Sequence, residues 1–190
     1  MNVYTKTPQI VLGFHGCEEE VALNVLNNRD KHLIASTKSY DWLGSGIYFW
    51  LNDPVRALEW AKQKKKDKPF VIGAIIDLGF CLNLAERDCI QALKTGYELL
   101  GNQYNLAEMQ NKMPDDGGFS LLRPLDCAVI NFTCSMLKEE GLEVDSVMGY
   151  FQESKPAFPG AGFREKSHTQ ICLRNNKCIL GYFLPRMENL

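Results

Sequence analysis

The sequence predicts an α+β fold built as a single domain over residues 1–190. Hydrophobic residues make up 45% of the chain and charged residues 23%, and 21 basic residues nearly balance 23 acidic ones, as is typical of a compact domain with one core. The apolar, β-branched run at 70–76 predicts a buried strand. Strand and helix patterns alternate at first but give way to a helical middle and then to strands, which disfavours a doubly wound parallel sheet.

The N-terminal part predicts a strand followed by a helix. Residues 10–14 are apolar and form a strand that ends at His15. The acidic residues 18–20 open a short helix that reaches about Asn27, because carboxylates in a first turn complement the helix dipole. Polar residues then break this helix.

A second strand and helix follow a glycine-bracketed turn. Gly44 and Gly46 flank the turn, and the strand covers 47–50. Because a strand follows these glycines, a Rossmann phosphate loop, which opens a helix, is excluded. Asp53 and Pro54 are typical of an N-cap and a first helical residue. An apolar stripe predicts the buried face of this helix: Val55, Leu58 and Ala61.

The rest of the chain predicts two more helices and four strands. Asp126 is expected to cap the second of these helices, and a hairpin-type turn at 175–177 is expected to join the last two strands. The ranges are strand 70–78, helix 86–100, a polar loop at 101–123, helix 127–137, strand 145–151, a loop at 152–166, and strands 169–174 and 178–184.

Composition also narrows the cellular setting. The 7 cysteines are an odd number without a Cys-x-x-Cys pair, which favours buried thiols in a reducing compartment over disulfides or a metal site. No apolar run reaches the length of about 18 residues that a membrane span needs, and the N-terminus lacks a signal-peptide pattern. We therefore expect a cytoplasmic protein without membrane or metal partners, although a secreted effector without a classical signal peptide is compatible with the same pattern. The net charge of −2 disfavours broad electrostatic binding to nucleic acid.

Three segments concentrate residues that could carry chemistry. His15 and Gly16 stand at a predicted strand end, all 3 tryptophans of the chain fall between Trp42 and Trp60, and the polar run 163–170 feeds a late strand. Taken singly, each has an ordinary structural explanation: a hydrogen-bonded histidine, an aromatic core cluster and a loop entering a strand. Adjacent side chains of a strand point to opposite faces, however, so the aromatic run at 48–50 cannot face the core with every ring.

Together the three segments resemble the ADP-ribosyltransferase superfamily, in the branch that contains diphtheria toxin and the poly(ADP-ribose) polymerases. That branch places His, Tyr and Glu on three separate strands. The stretch Gly44-Ser-Gly-Ile-Tyr-Phe49 carries the most specific part of the resemblance. The similarity covers 10–61 well and the last forty residues moderately, whereas 85–145 has no counterpart. It implies a split β-sandwich with flanking helices.

The resemblance also implies NAD as co-substrate and a role for each matching residue. His15 would bind the adenosine ribose, Gly16 the nicotinamide carboxamide, and Tyr48 would stack on the nicotinamide ring. Trp60 would supply a second aromatic face, and Ser36 would make polar contacts with the dinucleotide. The expected catalytic residues are His15, Tyr48 and Gln170, and His168 is expected to recognise the target from a loop. Ala57 stands where the family commonly has a serine for the carboxamide.

Gln170 occupies the position at which the family has its glutamate. Cleavage of the nicotinamide–ribose bond has an oxocarbenium-like transition state, which a carboxylate stabilises better than a neutral amide does. Chain elongation is therefore disfavoured, and three interpretations stay open. Gln170 orients the substrate for a single transfer, Glu165 reaches in to supply the charge, or the site binds without reacting.

The expected function is mono-ADP-ribosylation of a protein or nucleic acid, and a bacterial toxin or anti-phage effector would fit. A non-catalytic module that binds NAD or ADP-ribose is the main alternative. A cysteine hydrolase using Cys17 or Cys172 with His15 or His168 is a weaker one, because residues near in sequence do not make a dyad. An RNA 2′-phosphotransferase would need an Arg and a second His that the matching positions lack.

Overall fold

A computed structural model describes residues 10–64, 67–112 and 122–186 of the chain. It has the predicted α+β architecture, with one mixed sheet and helices on its faces. The seven strands are β1 (Ile10–Glu18), β2 (Ile47–Leu51), β3 (Pro69–Asp77), β4 (Cys81–Asn83), β5 (Ser146–Phe151), β6 (His168–Leu173) and β7 (Ile179–Phe183). The four α-helices in these ranges are α1 (Glu19–Asn27), α2 (Pro54–Gln63), α3 (Arg87–Gly101) and α4 (Pro124–Glu139).

The strands lie in the order β4-β5-β6-β2-β1-β3-β7. All neighbours are antiparallel except β4 and β5, which are parallel. Short 3₁₀ turns at Leu106–Met109 and Asn176–Cys178 complete the regular structure. None of the helices in the described ranges is long and apolar enough to span a bilayer.

Most predicted elements are confirmed, with four corrections. β1 continues to Glu18, so that His15 lies inside a strand instead of at its end. The short strand β4 was not predicted. Arg123, not Asp126, is the N-cap of α4, because Pro124 starts the helix and places Asp126 in its first turn. Part of the loop predicted at 101–123 lies outside the described residues.

The fourth correction concerns the last two strands, which do not form a hairpin. β6 pairs with β2 and β5, whereas β7 pairs with β3 at the opposite edge of the sheet. The predicted turn is a 3₁₀ helix at Asn176–Cys178. It sends the chain across the sheet, because the free edge of β3 offers β7 its hydrogen-bond partners.

The sheet consists of two halves that are joined at one narrow place. β4, β5, β6 and β2 form a four-strand half, and β1, β3 and β7 form a three-strand half. The paired positions of β1 and β2 are Gly13↔Leu51 and Phe14↔Trp50, next to a backbone hydrogen bond from the Asn52 N–H to the Leu12 oxygen at 3.0 Å, whereas β1 stays paired with β3 along its whole length. Beyond Phe14 the two strands diverge. We call the region between the diverging strands the seam.

Helix α2 covers β1 beside the seam at unusually close range. A Cβ on Gly16 would lie 2.1 Å from the backbone oxygen of Ala57, so only glycine fits there. The buried face of α2 consists of Arg56, Ala57 and Ala61, and Val55 is 44% exposed. The predicted apolar stripe is therefore wrong in part, because the close approach of the backbones admits small side chains at the contact. Asp53 caps the helix as predicted, accepting a hydrogen bond from the backbone N–H of Arg56.

We predict that Gly16→Ala lowers the free energy of unfolding by about 1–3 kcal/mol, the usual cost of overpacking. The added methyl group meets backbone, which cannot rotate away. Urea unfolding should show a lower midpoint at an unchanged m-value. Gly181→Ala is the matched control, since a Cβ there meets nothing within 4 Å. Equal stability of the two variants would contradict the packing role of Gly16.

Candidate functional site

A cavity of about 570 Å³ opens at the seam and is lined by side chains from both halves of the sheet. We call it the seam cavity. Five predicted site residues, each from a different element or loop, line it: His15, Ser36, Tyr48, Trp60 and Gln170. The structure therefore brings together residues that are up to 155 positions apart in the chain, from 15 to 170. Gly16 and His168 are not among the lining residues. Gly16 packs against α2, and His168 is buried at the start of β6.

His15 bridges the seam at the point where the backbone ladder stops. Its Nδ1 lies 2.7 Å from the backbone oxygen of Tyr48. A carbonyl oxygen only accepts, so Nδ1 carries the proton, and in the neutral ring Nε2 is a hydrogen-bond acceptor. The ring packs edge-on against Phe49 at 5.9 Å and tilts toward Trp60 at 6.5 Å between centroids. Its orientation is therefore set by the protein before any ligand arrives.

Tyr48 contributes a ring, not a proton. Its hydroxyl donates to the backbone oxygen of Gly44 at 2.6 Å and accepts from the backbone N–H of Leu43 at 2.8 Å. Burial raises the pKa of Tyr48 far above its usual value. The hydroxyl is thus a structural tie that holds the turn, and Gly44 there has a positive φ of 78°. The part of Tyr48 that is left for a ligand is its aromatic face.

Trp60 supplies a second aromatic wall. It packs against Trp50 at 5.7 Å between centroids, and the Lys64 ammonium lies 5.7 Å from its ring centre. Tyr48 and Trp60 both line the seam cavity, together with Tyr40, Trp42, Phe49 and Trp50. The cavity therefore offers several aromatic side chains to a flat ligand.

Gln170 lies in β6, opposite Trp50 of β2 and Gly149 of β5. Its Nε2 is 2.9 Å from Nε2 of His168. The structure corrects the expected position of His168: it is the first residue of β6, paired with Phe151, and not part of a loop. It is only 5% exposed and stacks on Trp42, so its ring faces Gln170 and the interior.

A charged pair at the cavity wall was not predicted from the sequence. Arg56 and Glu153 both line the cavity, and Arg56 donates to a carboxylate oxygen of Glu153 at 2.5 Å. The arginine side chain is only 9% exposed. Glu165, the acid suggested from sequence, pairs with Lys155 at 3.5 Å and is not among the lining residues. The sequence position of Glu153 could have indicated its role, because it follows the end of β5, and β5 pairs with the strand that holds Gln170.

The cysteine-hydrolase alternative gains no support from the geometry. Cys172 is fully buried, and its thiol donates to the backbone oxygen of Gly44 at 3.5 Å. Burial raises the pKa of Cys172 far above the ordinary range of a thiol, which disfavours the reactive thiolate. Cys17 lies in the main core cluster. Both side chains are used for packing.

The seam cavity combines aromatic walls, hydrogen-bond acceptors and one buried ion pair. Such a set suits a ligand with a flat ring and several hydroxyl groups. Comparison of the chain with protein-family models, with curated proteins and with solved structures gave no match. The function is therefore inferred from the residues and geometry of the cavity.

We predict that Tyr48→Phe destabilises the fold by about 1–3 kcal/mol, because Gly44 and Leu43 each lose a hydrogen-bond partner. The ring stays in the cavity, so ligand affinity should change little once the protein is folded. Thermal unfolding and calorimetric titration with NAD, the co-substrate that the resemblance implies, measure the two effects separately. Tyr150→Phe is the control, since this tyrosine of β5 is 52% exposed. A stable variant that has lost its ligand would show that the hydroxyl binds ligand instead.

Proposed function

We propose that this protein is a NAD-dependent mono-ADP-ribosyltransferase. The observation that carries the proposal is the convergence of His15, Tyr48, Trp60 and Gln170 on the seam cavity. These are the residues to which the sequence resemblance assigns NAD binding and catalysis. Nothing in the residue pattern alone required four distant segments to share one cavity.

The aromatic walls support binding of the nicotinamide ring. Tyr48 is held by its hydroxyl, so its ring is fixed in orientation at little further entropic cost on binding. Trp60 faces the same cavity from α2. In the proposal the pyridine ring stacks on Tyr48, with Trp60 as the second surface. Gly16, which follows His15, is not among the lining residues, so we propose no contact between its backbone and the carboxamide.

The polar side chains support binding of ribose. Nε2 of a neutral His15 accepts a hydrogen bond, and so does the Gln170 side-chain oxygen when its amide nitrogen faces His168. Ribose hydroxyls donate to such acceptors. Ser36 lines the same cavity and is held by paired backbone hydrogen bonds with Gly46 at 2.8 and 3.0 Å. Lys38 and Lys64 also line the cavity and would favour the dinucleotide phosphates.

The sheet supports the finer fold assignment. In a split β-sandwich two half-sheets part and the ligand binds between them. Here β1 and β2 pair at only two positions before they diverge. We propose that this divergence is the split of an ADP-ribosyltransferase-like fold.

The proposed reaction breaks the bond between ribose C1′ and the pyridine nitrogen. Nicotinamide leaves with the bonding electron pair as a neutral molecule, and a nucleophile of the acceptor bonds to C1′ and loses its proton to water. The cation that develops at C1′ is stabilised by oxygen dipoles near it. Gln170 supplies a dipole in place of the full charge of a glutamate, which favours a single slow transfer over chain elongation.

The acceptor is proposed to be a protein or a nucleic acid that meets the loop between β5 and β6. Phe158 and Phe163 of this loop are 62% and 66% exposed. Glu153 connects the loop to the cavity wall. A cytoplasmic location would supply NAD, and a toxin or anti-phage role is consistent with such chemistry.

A non-catalytic module that binds NAD or ADP-ribose is the second candidate. The neutral Gln170 favours it, together with the pairing of Glu153 with Arg56, which compensates a carboxylate of the cavity wall. The two candidates share the ligand and differ in whether nicotinamide is released.

The first test is incubation of the protein with labelled NAD and protein, RNA and DNA acceptors. We expect label transfer and nicotinamide release, with release reduced about 10- to 100-fold in Tyr48→Ala, the range set by the loss of one stacking surface. His15→Ala should show a similar loss. His32→Ala is the control, because His32 is exposed and bonds to Tyr182 away from the cavity. NAD binding without any release would exclude the enzyme and support the binding module.

The second test changes Gln170→Glu. A carboxylate restores full negative charge beside C1′, and we expect nicotinamide release to rise about tenfold, because charged hydrogen bonds are roughly twice as strong as neutral ones. Gln91→Glu makes the same charge change at an exposed position of α3 and should leave release unchanged. If the Gln170→Glu variant binds NAD but releases nicotinamide no faster, the side chain at position 170 does not lie at the reacting centre.

A further inference from the structure

The side chain of Gln170 reaches the seam cavity at the end of a short hydrogen-bond chain. The backbone oxygen of Lys166 lies 2.7 Å from Nδ1 of His168, and Nε2 of His168 lies 2.9 Å from Nε2 of Gln170. His168 is buried and is fixed by stacking on Trp42. The chain therefore connects a fixed backbone group to a side chain that faces the ligand.

The proton positions along this chain follow from its first member. The Lys166 carbonyl only accepts, so His168 carries a proton on Nδ1. In the neutral ring Nε2 is then an acceptor and requires a donor, which is the amide NH₂ of Gln170. The carbonyl oxygen of Gln170 consequently points away from His168. It has no hydrogen-bond partner among the described residues, and Gln170 lines the cavity.

Charged groups of both signs surround the imidazole of His168, and their effects on its pKa oppose one another. Glu153 lies 3.7 Å from Nδ1 and would favour a proton, yet its charge is compensated by Arg56. Burial is the largest influence and lowers the pKa of His168 below its usual value. The groups that face or influence the ring from the neighbouring elements are Asp53 and Arg56 at α2, Glu153 after β5, Lys166 before β6, and Arg123, which stacks on Trp42 and Phe151.

We propose that His168 is the positioning residue that decides which end of the Gln170 amide faces the seam cavity. With neutral His168 the amide presents its oxygen to the ligand. With protonated His168 both ring nitrogens donate, the amide must turn over, and its NH₂ faces the ligand instead. The single proton on His168 thus reverses the dipole that Gln170 directs into the site.

The consequence for catalysis rests on the proposed transferase function. An amide oxygen near C1′ stabilises the cation that develops there, whereas an NH₂ group opposes it. A ribose hydroxyl can donate or accept, so the substrate itself is bound by either end. Protonation of His168 should therefore lower kcat by roughly tenfold or more while changing KM little. A merely structural role of His168 would not produce this separation.

The amide orientation can be measured in the free protein without NAD. In ¹⁵N-labelled protein, His168 should show the Nδ1–H tautomer at neutral pH. Its titration midpoint should lie below the usual value for histidine. We expect the side-chain NH₂ resonances of Gln170 to shift with that same midpoint. If the chemical shifts of the Gln170 side-chain NH₂ do not change as His168 titrates, the proposal is wrong.

Two variants test the contact between His168 and Gln170 directly. Gln170→Glu places an acceptor-only group against Nε2, so the pKa of His168 should rise above its value in the unaltered protein. His168→Gln can accept from Gln170 through its own amide oxygen and cannot be protonated, so the fall of kcat at low pH should disappear. His32→Gln is the control and should keep that fall. If His168→Gln does not fold, the titration of the unaltered protein decides the question.

The outcomes separate this proposal from the proposed function. Coupled titration of His168 and Gln170 without nicotinamide release at any pH supports the positioning role and rejects the transferase. Nicotinamide release with a kcat that is unchanged through the His168 midpoint rejects the positioning role and keeps the transferase.

Discussion

The site depends on the place where β1 and β2 separate. Their ladder holds for two residue pairs and is then replaced by one side-chain hydrogen bond, from His15 Nδ1 to the backbone oxygen of Tyr48. Because a backbone carbonyl inside a sheet must be paired, this bond lets the strands diverge without leaving the Tyr48 oxygen unsatisfied. The same bond fixes the tautomer of His15. One interaction therefore opens the cavity and orients a residue that lines it.

The wall opposite β1 is held by the turn that precedes β2. The Tyr48 hydroxyl bonds to two backbone groups of this turn, and Asn131 of α4 accepts from the Ser45 N–H at 3.0 Å. Arg174 donates to the Ser45 oxygen at 3.1 Å and to Asn131 at 2.9 Å. A Cβ on Gly46 would lie 2.5 Å from the Leu173 oxygen. The glycines and the tyrosine hydroxyl are thus explained by packing, and the Tyr48 ring both packs against a core cluster and lines the cavity.

Local patterns in the sequence predict most elements, because a buried strand or a capped helix is specified by residues close together in the chain. Asp53 and Pro54 show this for α2. The failures concern long-range pairing: β4 pairs with β5 over sixty residues away, and β7 crosses to β3. The convergence of the site residues was predicted only through the family resemblance. Arg56 and Glu153 were missed because a charged residue on an amphipathic helix or after a strand ordinarily faces solvent.

In the proposed transferase, the arrangement of charge explains how a glutamine can stand where the resembling family has its glutamate. A free carboxylate at that place would attract the cation proposed to develop at C1′, but it would also have to be desolvated in the cavity. Here the nearby carboxylate of Glu153 is bonded to the buried Arg56, and burial lowers the pKa of the His168 imidazole beside Gln170. The wall of the cavity near Gln170 therefore carries little net charge. The amide dipole of Gln170 then contributes a large part of the electric field at the ligand, because the low-dielectric interior screens it weakly. The sign of that contribution depends on the orientation of the amide. A neutral residue can then favour or oppose a developing cation according to which of its ends faces the ligand.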